Sequence, residues 1–525
     1  MTATPSPRST ELNTLREYLR KDKTQLITRG IEKEGLRVQQ DLAISQTDHP
    51  EALGHPLTHS SITTDYSEAL LELITPVKSS RSELLESLEE THKFVLKNLH
   101  DELLWAGSMP CKLAGNDSVR IAEYGDSNIG TLKHVYRKGL DVRYGRIMQS
   151  IAGLHFNFSL NDDFWRSLKD SEQSPLSLQD YKSQKYFALT RNFRRYSWLL
   201  MYLFGASPAL DSSFVDGKEH NLETFDDKGT QYKPYATSLR MSDLGYNNNA
   251  QSSLNICFNT LDNFTHTLGE AVRKPYPAYE NIGVKVRGEY VQLNTNILQI
   301  ENEYYSPIRP KRTALSGEKP TAGLIARGVE YIEVRCLDLN PYLPLGIDEP
   351  QVAFMDAFLL YCLLEDSPTL STEDCQELER NFALVTTNGR QPKLQLSRDF
   401  EQVSMIEWGN EILDNMNKVA SLLDEADAAP IYQASIENER KKLANAELCP
   451  SARVLSDMKS KQVSWLELTG RLSAEHKSSL NAKPLSPDTA QAFINTAQQS
   501  HQNADAIKAA DAIDFAQFLT NYNES

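Results

Sequence analysis

The chain reads Gly30-Ile31-Glu32-Lys33-Glu34-Gly35-Leu36-Arg37-Val38 in its first strand-like segment, with two carboxylates close together. Because alternate side chains of a β-strand share a face, Glu32 and Glu34 are predicted to point the same way. The basic side chains Lys33 and Arg37 are predicted to point the other way. Two neighbouring carboxylates repel each other unless a cation lies between them or solvent screens them. The segment alone therefore allows two interpretations: a metal site, or an edge strand with a solvated charged face.

The composition is that of a large globular protein. A chain of 525 residues, 40% of them hydrophobic, is long enough for a sizeable core and for roughly two to four structural units. The formal net charge of -16 disfavours binding to nucleic acid and to anionic membrane surfaces. A polyanionic substrate would therefore need a local cluster of cations. No stretch approaches the roughly 18 to 20 apolar residues of a membrane span.

The cysteines and the N-terminus bear on location. Six cysteines show neither a C-x-x-C pair nor a metal-site spacing, which is typical of reduced thiols in a cytoplasm. The first residues are rich in Pro, Ser and Thr and hold no apolar segment, so they predict a disordered tail and not a signal peptide. We therefore expect a cytoplasmic protein.

A second segment, residues 62–76, is an apolar run that Pro76 ends and Glu72 interrupts. A carboxylate inside an apolar segment is rarely left unpaired, which favours a site. The alternative is the exposed face of an amphipathic helix, since Glu68 and Glu72 are four residues apart.

Two further segments alternate like strands. In residues 153–160, apolar side chains alternate with His155, Asn157 and Ser159, so one face is core and the other can form hydrogen bonds. Such a polar face is either a site or the ordinary solvated side of an antiparallel sheet. Within residues 331–337, Glu333 and Arg335 share a face, where they either serve a site or neutralise each other.

Capping and periodicity predict the other elements. Thr10 can cap a helix over 11–18, and Ser82 can cap a helix within 80–105. We divide the chain into a disordered tail (1–10), a catalytic α+β domain (11–347) and a mainly helical flank packed on it (348–525). The remaining predictions are a loop at 49–59, a buried helix at 187–204, a long loop at 216–233, a strand at 291–300, and helices at 354–364, 408–426 and 490–512.

Gathered on one sheet, the polar residues of these segments would form an oxygen-dominated set with one imidazole. That composition suits Mg2+ or Mn2+ rather than zinc, and more than one ion, because so many carboxylates need neutralising. Divalent ions beside Arg137, Arg335 and Arg312 are typical of phosphoryl transfer. The chain has neither a G-x-x-x-x-G-K-[ST] loop nor a Rossmann glycine fingerprint, so if a nucleotide binds, it must do so through metal and arginine. The set comprises Glu32, Glu34, Asp65, Glu72, His155 and Glu333.

Five segments in collinear order, 30–38, 62–76, 136–140, 144–159 and 331–335, closely resemble the proteobacterial type of glutamate-cysteine ligase, also called γ-glutamylcysteine synthetase. The resemblance runs from about residue 25 to about residue 360 and fades in the C-terminal helices. It implies an α+β fold with a glutamine-synthetase-like, curved and mainly antiparallel catalytic sheet flanked by helices.

The resemblance also implies a reaction. ATP would phosphorylate the γ-carboxylate of glutamate, and the amine of cysteine would then displace phosphate, giving γ-glutamylcysteine in the first step of glutathione biosynthesis. The alternative is a related carboxylate-amine ligase with another amine acceptor. The implied partners are glutamate, cysteine, ATP and glutathione as a feedback inhibitor, and we expect a monomer with no nucleic-acid or membrane partner.

The resemblance assigns roles to individual residues. The acidic set and His155 would be the metal ligands, and Arg335 and Arg137 would be catalytic residues facing the transferring phosphoryl group. Two positions depart from the family pattern: Lys33 stands where Arg is common, and Gly35 replaces a hydroxyl residue. Gly35 either loosens the strand or admits a closer approach of the backbone. The cysteine pocket would be formed by Tyr66, Tyr136, Leu140, Gln149, Arg240, Tyr246 and Tyr305.

Overall fold

The structure is a computed structural model that describes residues 8–21, 26–245, 254, 256–315, 318–427 and 430–524. Within these residues, no helix is both long enough and apolar enough to cross a membrane. The strands are β1 (Ile27–Val38), β2 (Ile62–Thr64), β3 (Leu70–Ile74), β4 (Leu103–Leu104), β5 (Leu154–Leu160), β6 (Ala209–Asp211), β7 (Glu223–Thr224), β8 (Thr230–Tyr232), β9 (Lys285–Val286), β10 (Glu289–Tyr290), β11 (Ile308–Lys311), β12 (Tyr331–Leu337), β13 (Gln395–Arg398) and β14 (Glu401–Ser404).

Helices make up most of the remaining regular structure. Short 3-10 turns include Glu51–Leu53, Ile147–Ser150, Leu239–Met241 and Glu301–Glu303. The α-helices are α1 (Ser9–Lys21), α2 (Arg81–Asn98), α3 (Asn128–Tyr144), α4 (Asp162–Ser171), α5 (Leu178–Phe204), α6 (Leu261–Ala271), α7 (Pro277–Ile282), α8 (Pro320–Arg327), α9 (Glu349–Leu364), α10 (Thr372–Asn388), α11 (Met405–Ala426), α12 (Tyr432–Ala444), α13 (Pro450–Lys461), α14 (Trp465–Asn481), α15 (Pro487–Ala509) and α16 (Phe515–Glu524).

The main sheet has the order β11-β12-β5-β1-β3-β2, with β4 paired to the end of β1, and each of these pairings is antiparallel. This sheet, its flanking helices and the helical C-terminal part confirm the predicted α+β fold. The strand register places Glu32 opposite His155, Glu34 opposite Glu72, and Glu333 opposite Asn157. Since directly opposed residues project to the same side, one face of the sheet collects the acids.

The other face of the sheet is the core. Ile31, Phe156 and Val334 are fully buried there. Two polar contacts show which helices cover this face: Lys33 Nζ lies 2.7 Å from His92 Nε2 of α2, and the Arg29 guanidinium pairs with Asp356 of α9 at 2.7 Å. Lys33 thus points away from the acids, as predicted.

Several predicted elements need correction. Residues 62–76 form the hairpin of β2 and β3, so the amphipathic-helix alternative is wrong. Ser80, not Ser82, caps α2, and its side chain accepts the Glu83 N–H. The first helix already begins at Ser9, and the predicted loop at 216–233 contains β7 and β8. The buried helix at 187–204 is confirmed within α5, and the three predicted C-terminal helices correspond to α9, α11 and α15.

Residues 291–300 form no strand, although their sequence alternates. Side chains form hydrogen bonds with the backbone there, in place of the bonds between paired strands. Gln292 Nε2 donates to the carbonyls of Tyr279 and Gly283, and Asn294 Nδ2 donates to the Gln299 carbonyl. Asn and Gln offer the backbone local partners that compete with sheet pairing. The segment is therefore an irregular, side-chain-pinned loop.

At Gly35 a side chain, that of Leu104, approaches β1 closely, and not the backbone. A Cβ built there would lie 2.9 Å from Leu104 Cδ1 of β4, closer than real side chains come. We predict that Gly35→Ala lowers the free energy of unfolding by about 1–3 kcal/mol, because overpacking forces Leu104 to move. Urea unfolding measures this. The double variant Gly35→Ala/Leu104→Ala should lose less than the sum of the single changes, and strict additivity would contradict the explanation.

The segment before β2 docks on α15. The His55 N–H donates to Ser500 Oγ at 2.8 Å, and Gly54, at φ +85°, is in contact with the same helix. Burial lowers the pKa of His49 to about 3 and that of His59 to about 4. Both imidazoles are therefore neutral in the folded protein at pH 5, whereas in the unfolded chain they are largely protonated.

These two buried imidazoles predict an acid-sensitive stability. Because the unfolded state binds more protons below its histidine pKa of about 6.5, this stability is complete above that pH and is lost as the pH falls towards 4. Between pH 6.5 and pH 5, protonation of His49 in the unfolded chain should alone lower the free energy of unfolding by about 2 kcal/mol. Urea unfolding across this range measures the slope. His49→Gln should flatten it, and an unchanged slope in that variant would contradict the assignment.

Candidate active site

The polar face of the main sheet centres on His155. Its Nδ1 lies 3.3 Å from Glu32 Oε2 and 3.8 Å from Glu333 Oε1, and its Nε2 lies 3.6 Å from Glu34 Oε1. Ligand atoms of Glu32, Glu72 and His155 all lie within 4.8 Å of one another. We call the set Glu32, Glu34, Glu72, His155 and Glu333 the acidic face. Its members come from β1, β3, β5 and β12, so the register of the sheet creates the cluster.

Burial and mutual repulsion decide the charge states on the acidic face. Burial raises the pKa of Glu72 well above its usual range, and Glu32, Asp65 and Glu34 raise it further. Burial likewise raises the pKa of Glu34. Burial also opposes ionisation of Glu333, but nearby cations, Lys311 and Arg335 foremost, hold its pKa well below the usual range. The face thus holds more carboxylates than its own cations can neutralise.

This donor set fits divalent cations that prefer oxygen. Carboxylate oxygens with one imidazole match the ligand preferences of Mg2+ and Mn2+. Asn157 lies on the same face, and its Nδ2 donates to Glu32 Oε1 at 2.8 Å. Its Oδ1 is buried and has no hydrogen-bond partner among the described residues, which leaves a further oxygen available to a cation or its water.

Two cations lie directly beside the acidic face. Arg335 Nη1 lies 3.1 Å from Glu333 Oε2, and Lys311 Nζ lies 3.6 Å from Glu333 Oε1. Both side chains come from neighbouring strands and point to the face that carries the acids. A phosphate group brought to this edge of the face would find a guanidinium and an ammonium group.

Arg137 reaches the site from α3. Its Nε donates to the Asp65 carbonyl at 2.5 Å, its Nη1 donates to the Lys133 carbonyl at 3.0 Å, and its guanidinium lies 4.6 Å from the centre of the Tyr124 ring. Lys133 covers the same ring, and burial lowers its pKa to about 8. Arg137 is therefore fixed beside the turn that carries Asp65.

A cavity of about 130 Å³ adjoins the acidic face. It is shared with the predicted metal ligands Glu34 and Asp65 and with the predicted catalytic residues Arg137 and Arg335. We call it the tyrosine cavity. Its other lining residues are Tyr66, Tyr136, Leu140, Tyr144, Met148, Gln149, Ile151, Asn302, Glu303 and Tyr305. Five of the seven residues predicted for a cysteine pocket thus meet in one place.

Comparison with known proteins shows the family of this chain. The sequence model of the family Glutamate-cysteine ligase matches residues 12–385. The chain belongs to the glutamate-cysteine ligase family. Similar curated proteins named glutamate–cysteine ligase include one from Hahella chejuensis, 53% identical over 501 residues, covering 94% of this chain and 95% of the relative. Another, from Pseudomonas putida, is 51% identical over 496 residues, covering 94% of each chain.

Solved structures show the same relationship. A glutamate–cysteine ligase from Francisella tularensis in complex with AMP has a TM-score of 0.89 at 35% identity, covering 95% of this chain and 98% of that one. A bifunctional glutathione synthetase from Pasteurella multocida has a TM-score of 0.69 at 22% identity, covering 96% of this chain and 59% of that one. The second likeness concerns the fold alone.

The structure places two more arginines of this glutamate-cysteine ligase family member. Arg312 donates to the Arg327 carbonyl and lies 3.6 Å from Glu330, so it is not part of the acidic face. Arg240 is buried beside β12, where it donates to the carbonyls of Arg335 and Leu337 and lies 3.7 Å from Asp338. Its positive charge also favours the ionised forms of Glu34 and Tyr305, which both line the tyrosine cavity. It does not line the tyrosine cavity, and Tyr246 lies outside the described residues.

Some site residues of this ligase fold were missed from the sequence. Lys311 belongs to a basic run without an assigned role, and only its strand register brings it to Glu333. Tyr144 and Glu303 line the cavity although they are 159 residues apart in the chain. Asn157 belongs to the predicted polar face but not to the predicted site set, and its alternation with His155 is the available signal. A larger cavity of about 1300 Å³, between α2 and α15, contains none of the predicted site residues.

Proposed function

We propose that this protein is an ATP-dependent glutamate-cysteine ligase. It joins the γ-carboxylate of glutamate to the amine of cysteine and forms γ-glutamylcysteine, ADP and phosphate, the first step of glutathione biosynthesis. The observation that carries the proposal is that the acidic face and the tyrosine cavity share Glu34 and adjoin Arg335. The groups suited to phosphoryl transfer thus lie directly beside a pocket for a small molecule. The family membership and the AMP-bound relative support the use of ATP.

The reaction has two chemical steps. An oxygen of the glutamate γ-carboxylate attacks the γ-phosphorus of ATP, the bond to the bridging oxygen breaks, and ADP leaves. The resulting γ-glutamyl phosphate is a mixed anhydride and a far better acyl donor than a carboxylate. The cysteine amine then attacks the acyl carbon, loses a proton, and expels phosphate. ATP therefore supplies the leaving group that a free carboxylate lacks.

The acidic face and Asp65 would hold the metal ions, and more than one ion fits the number of carboxylates. We propose Mg2+, with Mn2+ as an alternative. Bound ions would screen the negative charges of nucleotide and glutamate so that the two can meet. The raised pKa of Glu72 and the Asn157 oxygen support this assignment, because among the described residues Glu72 forms no ion pair and that oxygen accepts no hydrogen bond.

The protein's own cations hold the transferring phosphoryl group. Arg335 is oriented by Glu333, and its planar fork of donors suits phosphate oxygens. Arg137 faces the same cavity from α3 and is restrained by its bonds to main-chain carbonyls. Their positive charge stabilises the charge that develops on the equatorial oxygens. We propose Arg335 and Arg137 as the catalytic residues.

The tyrosine cavity receives the acceptor amino acid. Tyr66, Tyr136 and Tyr305 give it aromatic walls, and Leu140 and Gln149 complete the predicted set. Burial raises the pKa of Tyr305 to about 12, so its hydroxyl remains a hydrogen-bond donor at neutral pH. A cavity of about 130 Å³ suits one small amino acid and is too small for a nucleotide. Arg240 donates to the main chain of β12 and its charge acts on Tyr305, and it stays a proposed member of this pocket.

The test is an assay of ADP release with ATP, Mg2+ and glutamate, with and without cysteine. We expect release that depends on cysteine and exceeds that with glycine, alanine or 2-aminobutyrate. A faster alternative amine would identify a related carboxylate-amine ligase with another acceptor. Absence of ADP release with every amine would overturn the proposal.

Location and regulation complete the proposal. We propose a cytoplasmic enzyme, because its six cysteines are all free thiols. We also propose feedback inhibition by glutathione, since glutathione contains the same γ-glutamylcysteine unit as the product. Adding glutathione to the ADP assay tests this directly, and size-exclusion chromatography tests the expected monomer.

A further inference from the structure

A fully buried ion pair lies behind one wall of the tyrosine cavity. Arg143 Nη1 lies 3.0 Å from Glu303 Oε1, and neither side chain is exposed to solvent. Arg143 belongs to α3 and directly precedes the lining residue Tyr144, whereas Glu303 lines the cavity itself. The pair therefore joins the two chain segments that form this wall.

The other bonds of Arg143 all fix the same loop. Gln292 Oε1 accepts from Arg143 Nε at 3.0 Å and from Nη2 at 2.9 Å, and the Asn294 carbonyl accepts from Nη2 at 2.9 Å. The guanidinium also lies 4.2 Å from the centre of the Tyr279 ring. One side chain of α3 thus orders the irregular segment that ends at the cavity.

Glu303 holds the wall from the opposite side. Its Oε2 accepts the Gln299 N–H at 2.6 Å, and its Oε1 accepts the Tyr144 hydroxyl at 2.5 Å. Gln299 in turn donates from Nε2 to the Tyr136 carbonyl at 3.1 Å and packs where a Cβ at Gly139 would overlap it. The helix and the loop are therefore locked together at several points along the cavity.

We propose that Arg143 and Glu303 form a positioning pair that sets the width of the tyrosine cavity and so selects the acceptor amine. The inference rests on the proposed function, since it assigns the acceptor to that cavity. Tyr136 and Tyr144 stand on α3, and Tyr305 follows Glu303 by two residues, so the pair fixes the spacing of three aromatic walls. A small, rigid cavity excludes larger side chains, whereas a loosened one admits them.

The experiment compares acceptors in two variants and a control. Glu303→Gln removes the charge at constant shape, and Tyr144→Phe removes only the hydroxyl that Glu303 accepts. Asp356→Asn breaks a different buried pair, that with Arg29, which lies on the core side of the sheet. For each protein, kcat/KM is measured with cysteine and with valine as acceptor, together with KM for ATP and for glutamate. Thermal unfolding is recorded in parallel.

In Glu303→Gln we expect KM for cysteine to rise about tenfold and the preference for cysteine over valine to fall about tenfold, as for a lost charged hydrogen bond. KM for ATP and for glutamate should stay within about twofold, since the pair does not touch the acidic face. Tyr144→Phe should shift the preference in the same direction by about threefold. Asp356→Asn should lower stability without changing the preference.

Two results would overturn the inference. One is an unchanged preference in Tyr144→Phe, which decides the question even where Glu303→Gln does not fold. The other is a parallel change in the KM of all three substrates, which would mark general loosening. Failure of the proposed function is separate, because it would appear in the unaltered protein as ADP release that does not depend on cysteine.

Discussion

Glu333→Gln is expected to reduce cysteine-dependent ADP formation by at least about a thousandfold while the protein remains folded. The carboxylate lies within 4 Å of Arg335, Lys311 and His155, so it orients the cations and offers an oxygen to a metal. An amide of the same shape keeps the packing but removes the charge. The ADP assay measures the loss, and circular dichroism during heating measures the fold.

Glu330→Gln is the matched control for this change. Glu330 just precedes the same strand, is partly exposed, and pairs loosely with Arg312 at 3.6 Å. That variant should keep its activity. ADP formation by Glu333→Gln within about tenfold of the unaltered protein would contradict the role of Glu333, and so would unfolding of Glu333→Gln at ordinary temperature.

Glu72→Gln is expected to make the metal-free protein more stable and much less active. At pH 7.5 the unfolded chain carries an ionised Glu72, whereas burial and then Glu32, Asp65 and Glu34 raise its pKa in the folded state. When folding raises the pKa of an acid, the free energy of unfolding is lowered at every pH above the usual pKa of that acid. This loss shrinks as the pH falls. Removing the charge should raise the midpoint of thermal unfolding, measured in EDTA, by about 2 °C or more.

Three measurements test the prediction for Glu72→Gln. The stability gain should diminish between pH 7.5 and pH 4.5, and Mg2+ should stabilise the unaltered protein more than the variant. ADP formation should fall by at least about a hundredfold. A variant that is less stable than the unaltered protein in EDTA would show that Glu72 contributes to packing instead of repulsion.

The acidic face could be predicted from the sequence because strand alternation is a local rule. Glu32 and Glu34 share a side, and so do His155 and Asn157, whatever the rest of the chain does. The resemblance to the ligase family supplies their neighbours, and the register of β1 with β5 places Glu32 opposite His155. Local patterns therefore identified the strands and their polar side.

The predictions that are wrong have a common physical cause: tertiary contacts override the local sequence pattern. Residues 291–300 look like a strand, but Gln292 and Asn294 satisfy backbone groups of their own region. Arginine side chains are long, so sequence position does not show where the guanidinium of Arg312 lies: it pairs with Glu330 outside the acidic face. The domain boundaries and the roles of individual site residues stay predictions.

The order of strands in the main sheet constrains when the site can form during synthesis. Strand β5 lies between β1 and β12, and Glu333 joins the cluster only when residues 331–337 pair with it. Until then the nascent chain carries Glu32, Glu34 and Glu72 without Arg335. Contacts between residues this distant in sequence form slowly, because a long loop loses conformational entropy when it closes. Activity should therefore emerge late and abruptly, after most of the chain has left the ribosome.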